Sequence, residues 1–161
     1  TMQWIKTALL TCALCLSFNA AAMTDDEEAV WRDGLTDGHI ETVKQYVDAD
    51  ATIVNKKIFG WSPLQMATNG HHLDIVTYLL SKGADIDYMH PTAEHTAFHL
   101  AALSGDTKMM ELLEKSGTDV NVKLRNNFSL IQYYRDENNT KMIEFLTSLG
   151  VKDDGCKSEY C

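Results

Sequence analysis

The chain repeats itself with a period of about 33 residues, and this internal repeat constrains the fold more than any other feature of the sequence. Residues 61–67 (WSPLQMA) recur as residues 95–101 (HTAFHLA), and residues 82–87 (KGADID) recur as residues 116–121 (SGTDVN). A unit of this length is too short to bury both faces of its own helices, so neighbouring copies must stack to build a continuous core. The repeat therefore predicts a solenoid of stacked units.

Each copy has the pattern of a short helix, a turn, a second helix and an extended loop. The apolar stripe of one second helix consists of Leu73, Ile75, Val76, Leu79 and Leu80, a spacing typical of an amphipathic helix. Ser62 followed by Pro63 is a favourable helix start, and Gly83 and Gly117 stand where a left-handed cap ends the second helix. We expect Leu79 and Leu112 to face the shared core.

These motifs resemble the ankyrin-repeat family, whose unit of about 33 residues carries a Thr-Pro-Leu-His-x-Ala signature. The resemblance covers residues 25–152 and implies an all-α ankyrin-repeat solenoid of about four repeats with projecting hairpin loops. The outer two copies, at residues 37–44 and 127–150, depart most from the pattern, as capping repeats do. Asp50, for example, stands where the first copy should have glycine.

The first 22 residues have the composition of a signal peptide. Lys6 supplies a positive charge, residues 7–18 form an apolar run, and small residues precede a cleavage site near Ala22. The apolar run is shorter than the roughly 20 residues that a membrane span needs, although an uncleaved anchor is the alternative. We expect a periplasmic or secreted chain with an ankyrin-repeat domain at residues 23–152 and no membrane insertion of the mature chain.

The nine residues 153–161 form a C-terminal tail that contains Cys156 and Cys161. After cleavage near Ala22 these are the remaining cysteines, and two cysteines in an exported chain can form a disulfide. A disulfide over so short a loop would tie the tail rather than the core.

The six histidines are explained better by the repeat than by a metal site or by catalysis. His99 lies at the histidine of the family signature, and His39 and His72 lie at the start of a second helix. His90 and His95 share a longer loop, but no carboxylate or thiol cluster completes a metal site there. No nucleophile, phosphate-loop or zinc-protease motif is present, so we predict a protein that is not an enzyme and has no catalytic residue, metal or cofactor.

The net charge of −9 indicates which partners to expect. Nucleic acids and anionic membranes reward basic surfaces, so neither is an expected ligand. An acidic domain better suits a basic protein, and the alternative is a solvated surface that happens to be acidic. The tips of the projecting hairpin loops themselves carry Lys56, Lys57, Lys123 and Arg125, so a partner that docks only on the tips should be acidic there. We expect a monomer that binds one protein partner.

The resemblance also places the binding surface, because ankyrin proteins bind partners with their hairpin fingers and with the concave side formed by the first helices. Exposed aromatic, methionine and arginine side chains are typical of interfaces. The candidate finger residues are Lys57, Phe59, Trp61, Tyr88, Met89, His90, Leu124 and Arg125. The candidate first-helix residues are Gln65, Asn69, Leu103 and Arg135. The alternative for Phe59 or Tyr88 is that its ring packs on the neighbouring finger.

Three functions agree with these features. The first is a periplasmic immunity-type protein that inhibits a toxic enzyme, since inhibition needs only a pre-formed surface. The second is a periplasmic scaffold that supports an enzyme such as a catalase under oxidative stress. The third is a secreted effector that binds a host protein. The sequence favours the first without excluding the others.

Overall fold

The computed structural model describes residues 23–153 and 155, and within them the fold is helical, which confirms the predicted all-α solenoid. The signal-peptide prediction for residues 1–22 and the disulfide prediction for Cys156 and Cys161 lie outside the described residues. The helices are α1 (Asp25–Asp37), α2 (Ile40–Ala49), α3 (Pro63–Asn69), α4 (Leu73–Ser81), α5 (Ala97–Leu103), α6 (Thr107–Lys115), α7 (Leu130–Asp136) and α8 (Thr140–Ser148). Short 3-10 helices cover Ala51–Asn55 and Arg125–Asn127.

The helices form four pairs, and each pair stacks on the next. First helices α1, α3 and α5 contact one another in order, and second helices α2, α4 and α6 do the same. The last pair, α7 and α8, is joined to the stack by the Tyr134 hydroxyl, which donates to the carbonyl of Ala102 at the end of α5. One core runs through all four pairs, from Trp31 to Leu146.

The loops between repeats are joined by one side chain from each repeat. Asn55 donates to the carbonyl of Gly83 at 3.0 Å and accepts from the amide of Asp85 at 2.8 Å. Asp87 and Asn121 occupy the equivalent positions and bond to the loops that follow them. These bonds satisfy loop backbone groups that no helix or sheet pairs, and they fix the spacing between neighbouring repeats.

The predicted helix boundaries are confirmed where the sequence gives an explicit signal. Ser62 caps α3 with Pro63 in the first turn, and Gly83 and Gly117 adopt the left-handed conformation, with φ of 87° and 92°. Asp50 does not adopt the left-handed conformation at the end of α2. It is extended instead, and its carboxylate accepts from the amide of Thr52 to start the first 3-10 helix.

The predicted register of the second helices holds for Leu79 and is displaced by one residue in α6. Leu79 is fully buried, and the repeat offset that relates Gly83 to Gly117 relates Leu79 to Leu113, which is also fully buried. Leu112 only packs against the edge of the core. The cause is helical geometry, because adjacent residues on a helix point about 100° apart.

His72 has a structural role at the start of α4. Its Nε2 lies 2.8 Å from the carbonyl oxygen of Thr36 in the preceding repeat. The ring fits because Gly38 and Gly70 lack side chains, since a Cβ at either position would lie within 2.6 Å of it. His72 therefore acts as a spacer between repeats, as its consensus place implies.

Candidate protein-binding surface

In α3 and in α5, one side chain both caps the helix and bonds to the loop of the following repeat. Gln65, His99 and Gln132 occupy the third position of α3, α5 and α7, and all three are buried. The Gln65 amide donates to the carbonyls of Tyr88 and His95, at 3.1 and 2.7 Å. Gln65 therefore lies in the interior, whereas the sequence predicted it on the surface that contacts a partner.

Finger 1, residues 56–61, is a tight two-residue hairpin. Ile58 and Trp61 exchange two backbone hydrogen bonds of 2.9 Å, and Phe59 and Gly60 form the turn with φ of 50° and 85°. Two positive φ angles are the mark of a type I′ turn, whose twist matches that of a hairpin. The turn projects Phe59 into solvent, and its side chain is 83% exposed.

Tyr88 of the second finger (residues 88–95) packs on finger 1, as the alternative interpretation held. Its hydroxyl donates to the carbonyl of Gly60 at 2.8 Å, and the Lys57 ammonium lies 3.7 Å from the centre of its ring. Burial lowers the pKa of Lys57, and the charge of Asp85 offsets part of that effect. Tyr88 and Lys57 are half-buried, so they brace the tips and present only part of their surface.

His90 is buried in finger 2, which corrects its assignment as an exposed tip residue. Its ring packs on Trp61 with centroids 4.2 Å apart, and its Nδ1 accepts from the amides of Thr92 and Ala93. Because Nδ1 accepts, the proton of the neutral ring belongs on Nε2, a buried atom with no hydrogen-bond partner. His90 thus closes its own loop, while Met89 beside it is 39% exposed.

Finger 3, residues 123–128, borders an open groove. Leu124 and Phe128 pair across the three-residue turn Arg125–Asn127, in which Asn126 and Asn127 have φ angles of 60° and 62°. The groove, of about 370 Å³, is lined by His95, Leu103, Leu124, Arg125, Asn126, Phe128 and Tyr133. It joins the tip of finger 3 to the exposed sides of α5 and α7 and brings Leu103, Leu124 and Arg125 together.

Positive charges at the finger tips are paired with acids of neighbouring repeats. Lys56 lies 3.1 Å from Glu28, and Arg125 lies 4.0 Å from Glu94. These pairs are partly exposed and contribute little to stability, but they offset the charges of Lys56 and Arg125. The long-range field of the protein is therefore set by its net charge of −9.

The remaining first-helix candidates lie at the two ends of the surface. Asn69 is exposed at the end of α3. Arg135 is half-buried and forms a bidentate ion pair with Asp153, at 2.8 and 2.9 Å, while donating to Gln132. Arg135 therefore anchors the end of the domain and offers only part of its guanidinium to a partner.

Two kinds of feature are absent from the described part of the chain. Residues 23–153 and 155 contain no group of three or more His, Cys, Asp or Glu side chains placed to hold a metal ion. None of the helices in these residues is long and apolar enough to cross a membrane.

Comparison with protein families identifies the repeat. The family of ankyrin repeats (3 copies) matches residues 28–124, more than half of the chain. The chain belongs to the ankyrin-repeat family. Ankyrin repeats are typically protein-binding modules without chemistry of their own, so protein–protein interaction is the activity that membership implies.

The similar proteins are much longer. The chain is 34% identical over 87 residues to the ankyrin repeat and KH domain-containing protein mask of Drosophila melanogaster, covering 53% of this chain and 2% of that protein. It is 26% identical over 115 residues to the ankyrin repeat, SAM and basic leucine zipper domain-containing protein 1 of Loxodonta africana, covering 68% of this chain and 24% of that protein. It is 29% identical over 116 residues to the ankyrin repeat and SAM domain-containing protein 6 of Mus musculus, covering 70% of this chain and 13% of that protein. The chain spans a quarter or less of the length of these relatives.

Sequence reasoning missed part of the groove. It did not select Tyr133 or Phe128, although Tyr133 follows the buried third position of its helix just as Met66 and Leu100 do. All three residues are largely apolar and half-buried. Their recurrence once in each repeat was the available signal.

Proposed function

We propose that this protein binds one protein partner through the finger surface, and that by doing so it inhibits a toxic enzyme as an immunity-type protein. The finger surface is defined by the exposed parts of Phe59, Met89 and Asn69 and by the groove around Leu103, Leu124 and Arg125. Family membership supports the general role of protein binding. Inhibition, like the absence of enzymatic activity, is the specific proposal.

The observation that carries the proposal is the arrangement of apolar surface along one side of the stack. Phe59 and Met89 stand exposed at adjacent finger tips, and the groove behind finger 3 exposes leucine and aromatic side chains next to Arg125. Interfaces are enriched in this combination of aromatic, methionine and arginine side chains. A partner can use one continuous side of the molecule.

Rigidity is the reason that inhibition is favoured over the other roles. The fingers are cross-braced by the Tyr88–Gly60 bond and by the bonds from Gln65 to finger 2. A pre-formed surface loses little conformational entropy on binding, so it can cover an active site tightly. A scaffold that supports an enzyme such as a catalase, or a secreted effector that binds a host protein, would use the same surface.

The location of the binding surface can be tested with a charge placed in the groove. Leu103→Arg should weaken partner binding at least ten-fold, because it buries an unpaired charge at an apolar contact, a loss of about 1.4 kcal/mol or more. The partner would be isolated from the native host on immobilised wild-type chain, and its affinity for each variant measured by calorimetry. Thr77→Arg, on the exposed side of α4, is the matched control and should bind as the wild type does.

The activity of the isolated partner separates the three roles. An enzyme inhibited at a one-to-one ratio supports the immunity-type role, whereas an enzyme left active or stabilised supports the scaffold. A partner found only in a eukaryotic host supports the effector. Equal binding by wild type and Leu103→Arg would contradict the groove assignment for any of them.

Export is the cellular part of the proposal and has its own test. We propose that the chain acts in the periplasm or outside the cell, because residues 2–22 have the composition of a signal peptide. Protein recovered from the periplasm should begin near Met23 on amino-terminal sequencing. Recovery of soluble cytoplasmic protein that retains Met2 would contradict this expectation.

A further inference from the structure

Phe59 has a backbone conformation that a phenylalanine disfavours. Its φ of 50° lies in the left-handed region, where the Cβ of an L-residue crowds the following carbonyl oxygen and where asparagine and glycine are the usual residues. A bulky residue in this region is an outlier that persists only where the surrounding structure enforces it. Phe59 occupies the first of the two central positions of a type I′ turn, a position that favours Asn, Asp or Gly.

The protein contains its own comparison for this turn. Finger 3 turns through Asn126 and Asn127, with φ angles of 60° and 62°. Both residues belong to the type that tolerates the left-handed region. Finger 1 makes the same pair of positive φ angles with Phe59 and Gly60. The phenyl ring at position 59 is therefore not a requirement of the hairpin.

The base of finger 1 is braced on several sides. Ile58 is buried, Trp61 packs against the His90 ring, and the Gly60 carbonyl accepts from the Tyr88 hydroxyl. Lys56 adds an ion pair to Glu28. These contacts hold the turn, and so they hold Phe59 in its strained and exposed position.

Exposed apolar side chains concentrate at this place. Among the described residues, the large hydrophobic side chains that are exposed are Val30, Phe59 and Met89. Phe59 is next to Gly60, and Met89 is next to Tyr88, so the two exposed side chains neighbour in sequence the residues that hydrogen-bond finger 1 to finger 2. Two of the three exposed side chains thus belong to successive fingers that are joined to each other.

We propose that Phe59 is a pre-organised anchor that a partner protein takes into an apolar pocket, with Met89 contacting the pocket rim. This inference rests on the proposed protein-binding function and adds which residue leads the contact. Phe59 combines two unfavourable features, a left-handed backbone and an exposed phenyl ring. Both features cost free energy in the unbound protein, and binding of the ring in an apolar pocket would offset that cost. A membrane is the disfavoured ligand, because shallow insertion into anionic lipid is assisted by a basic surface and this chain carries a charge of −9.

The strain is tested first, and this test needs no partner. Phe59→Asn should lower the equilibrium constant for unfolding about five-fold, because asparagine tolerates the left-handed region. Asn126→Phe, the reciprocal variant in finger 3, should raise it by a similar factor. Both constants would be measured by urea denaturation of the full chain. An unfolding constant that is unchanged or raised by Phe59→Asn would overturn the inference that function, rather than folding, maintains the phenylalanine.

The contact is tested by photo-crosslinking in the native host. The photoreactive residue p-benzoylphenylalanine would replace Phe59, Leu103 or Val30 in separate variants. A single protein adduct at position 59 and none at position 30 supports the anchor, and Phe59→Asn should then weaken binding of that protein at least ten-fold. Adducts with lipid at position 59, equal adducts at 59 and 30, or no adduct at 59 would each overturn it. An adduct at position 103 without one at 59 would leave the proposed function intact and remove the anchor alone.

Discussion

Replacing Leu79 by alanine is expected to lower the free energy of unfolding by about 2–5 kcal/mol, the range found when a buried leucine is truncated and its cavity only partly collapses. Leu79 is fully buried in α4, the second helix of an interior repeat, which contacts both α2 and α6. The cavity would therefore open between repeats. In a stacked array, where stability depends on the contacts between neighbours, that loss acts on the whole domain.

Leu112→Ala is the matched control for this prediction. Leu112 has the same side chain and lies in the equivalent helix α6, but it packs only against the edge of the core. Its truncation removes less buried apolar area, so the loss should be less than half of that for Leu79→Ala. Urea denaturation followed by circular dichroism measures both. Equal losses for the two variants would show that the register of the second helices is described wrongly.

Replacing His99 by alanine is expected to lower the free energy of unfolding by about 2–4 kcal/mol, because two backbone groups lose their partner. The His99 Nδ1 accepts from the amide of Thr96 at 3.1 Å, and Nε2 lies 2.8 Å from the carbonyl oxygen of Val122. The first bond caps α5, and the second holds the loop that leads to finger 3. His99→Ala should therefore disturb both stability and the groove.

The same geometry makes the contribution of His99 depend on pH. The Nδ1 atom can accept only while it is unprotonated, and burial lowers the pKa of His99 below 6.5, an effect that the bond to Val122 partly opposes. Below pH 6.5 the unfolded chain binds this proton more readily than the folded one does. The contribution of His99 to the free energy of unfolding is thus fully present above pH 6.5. It is lost as the pH falls from 6.5 toward the folded-state pKa of His99, and it stays constant below that pKa.

His99→Gln separates the pH effect from the structural one. Glutamine occupies the equivalent cap in α3, where Gln65 both caps the helix and donates to finger 2. His99→Gln should therefore keep stability at pH 8 within about 1 kcal/mol of the wild type, and its stability should fall less between pH 6.5 and 5. Denaturation series at several pH values would measure this, and an unaltered pH profile would contradict the role given to His99.

The sequence by itself determined the elements and their order, because each was signalled locally. The repeat period predicted the stack, Ser62 and Pro63 predicted the start of α3, and Gly83 and Gly117 predicted the ends of second helices. The helix starts and ends depend on backbone sterics and capping bonds within a few residues, and the repeat period is read directly from the sequence. They can therefore be recognised without knowing what surrounds them.

Only the tertiary structure decided which finger residues face solvent. Phe59 and His90 are both aromatic residues of predicted tips, yet Phe59 is exposed, while His90 is covered by Trp61 of the neighbouring finger. Gln65 was likewise expected to face a partner, but its amide bonds to the loop of the next repeat. These outcomes depend on contacts between residues of neighbouring repeats, and such contacts exist only once the repeats have stacked. The physical reason is that burial is a property of the assembled neighbours and not of the local chain.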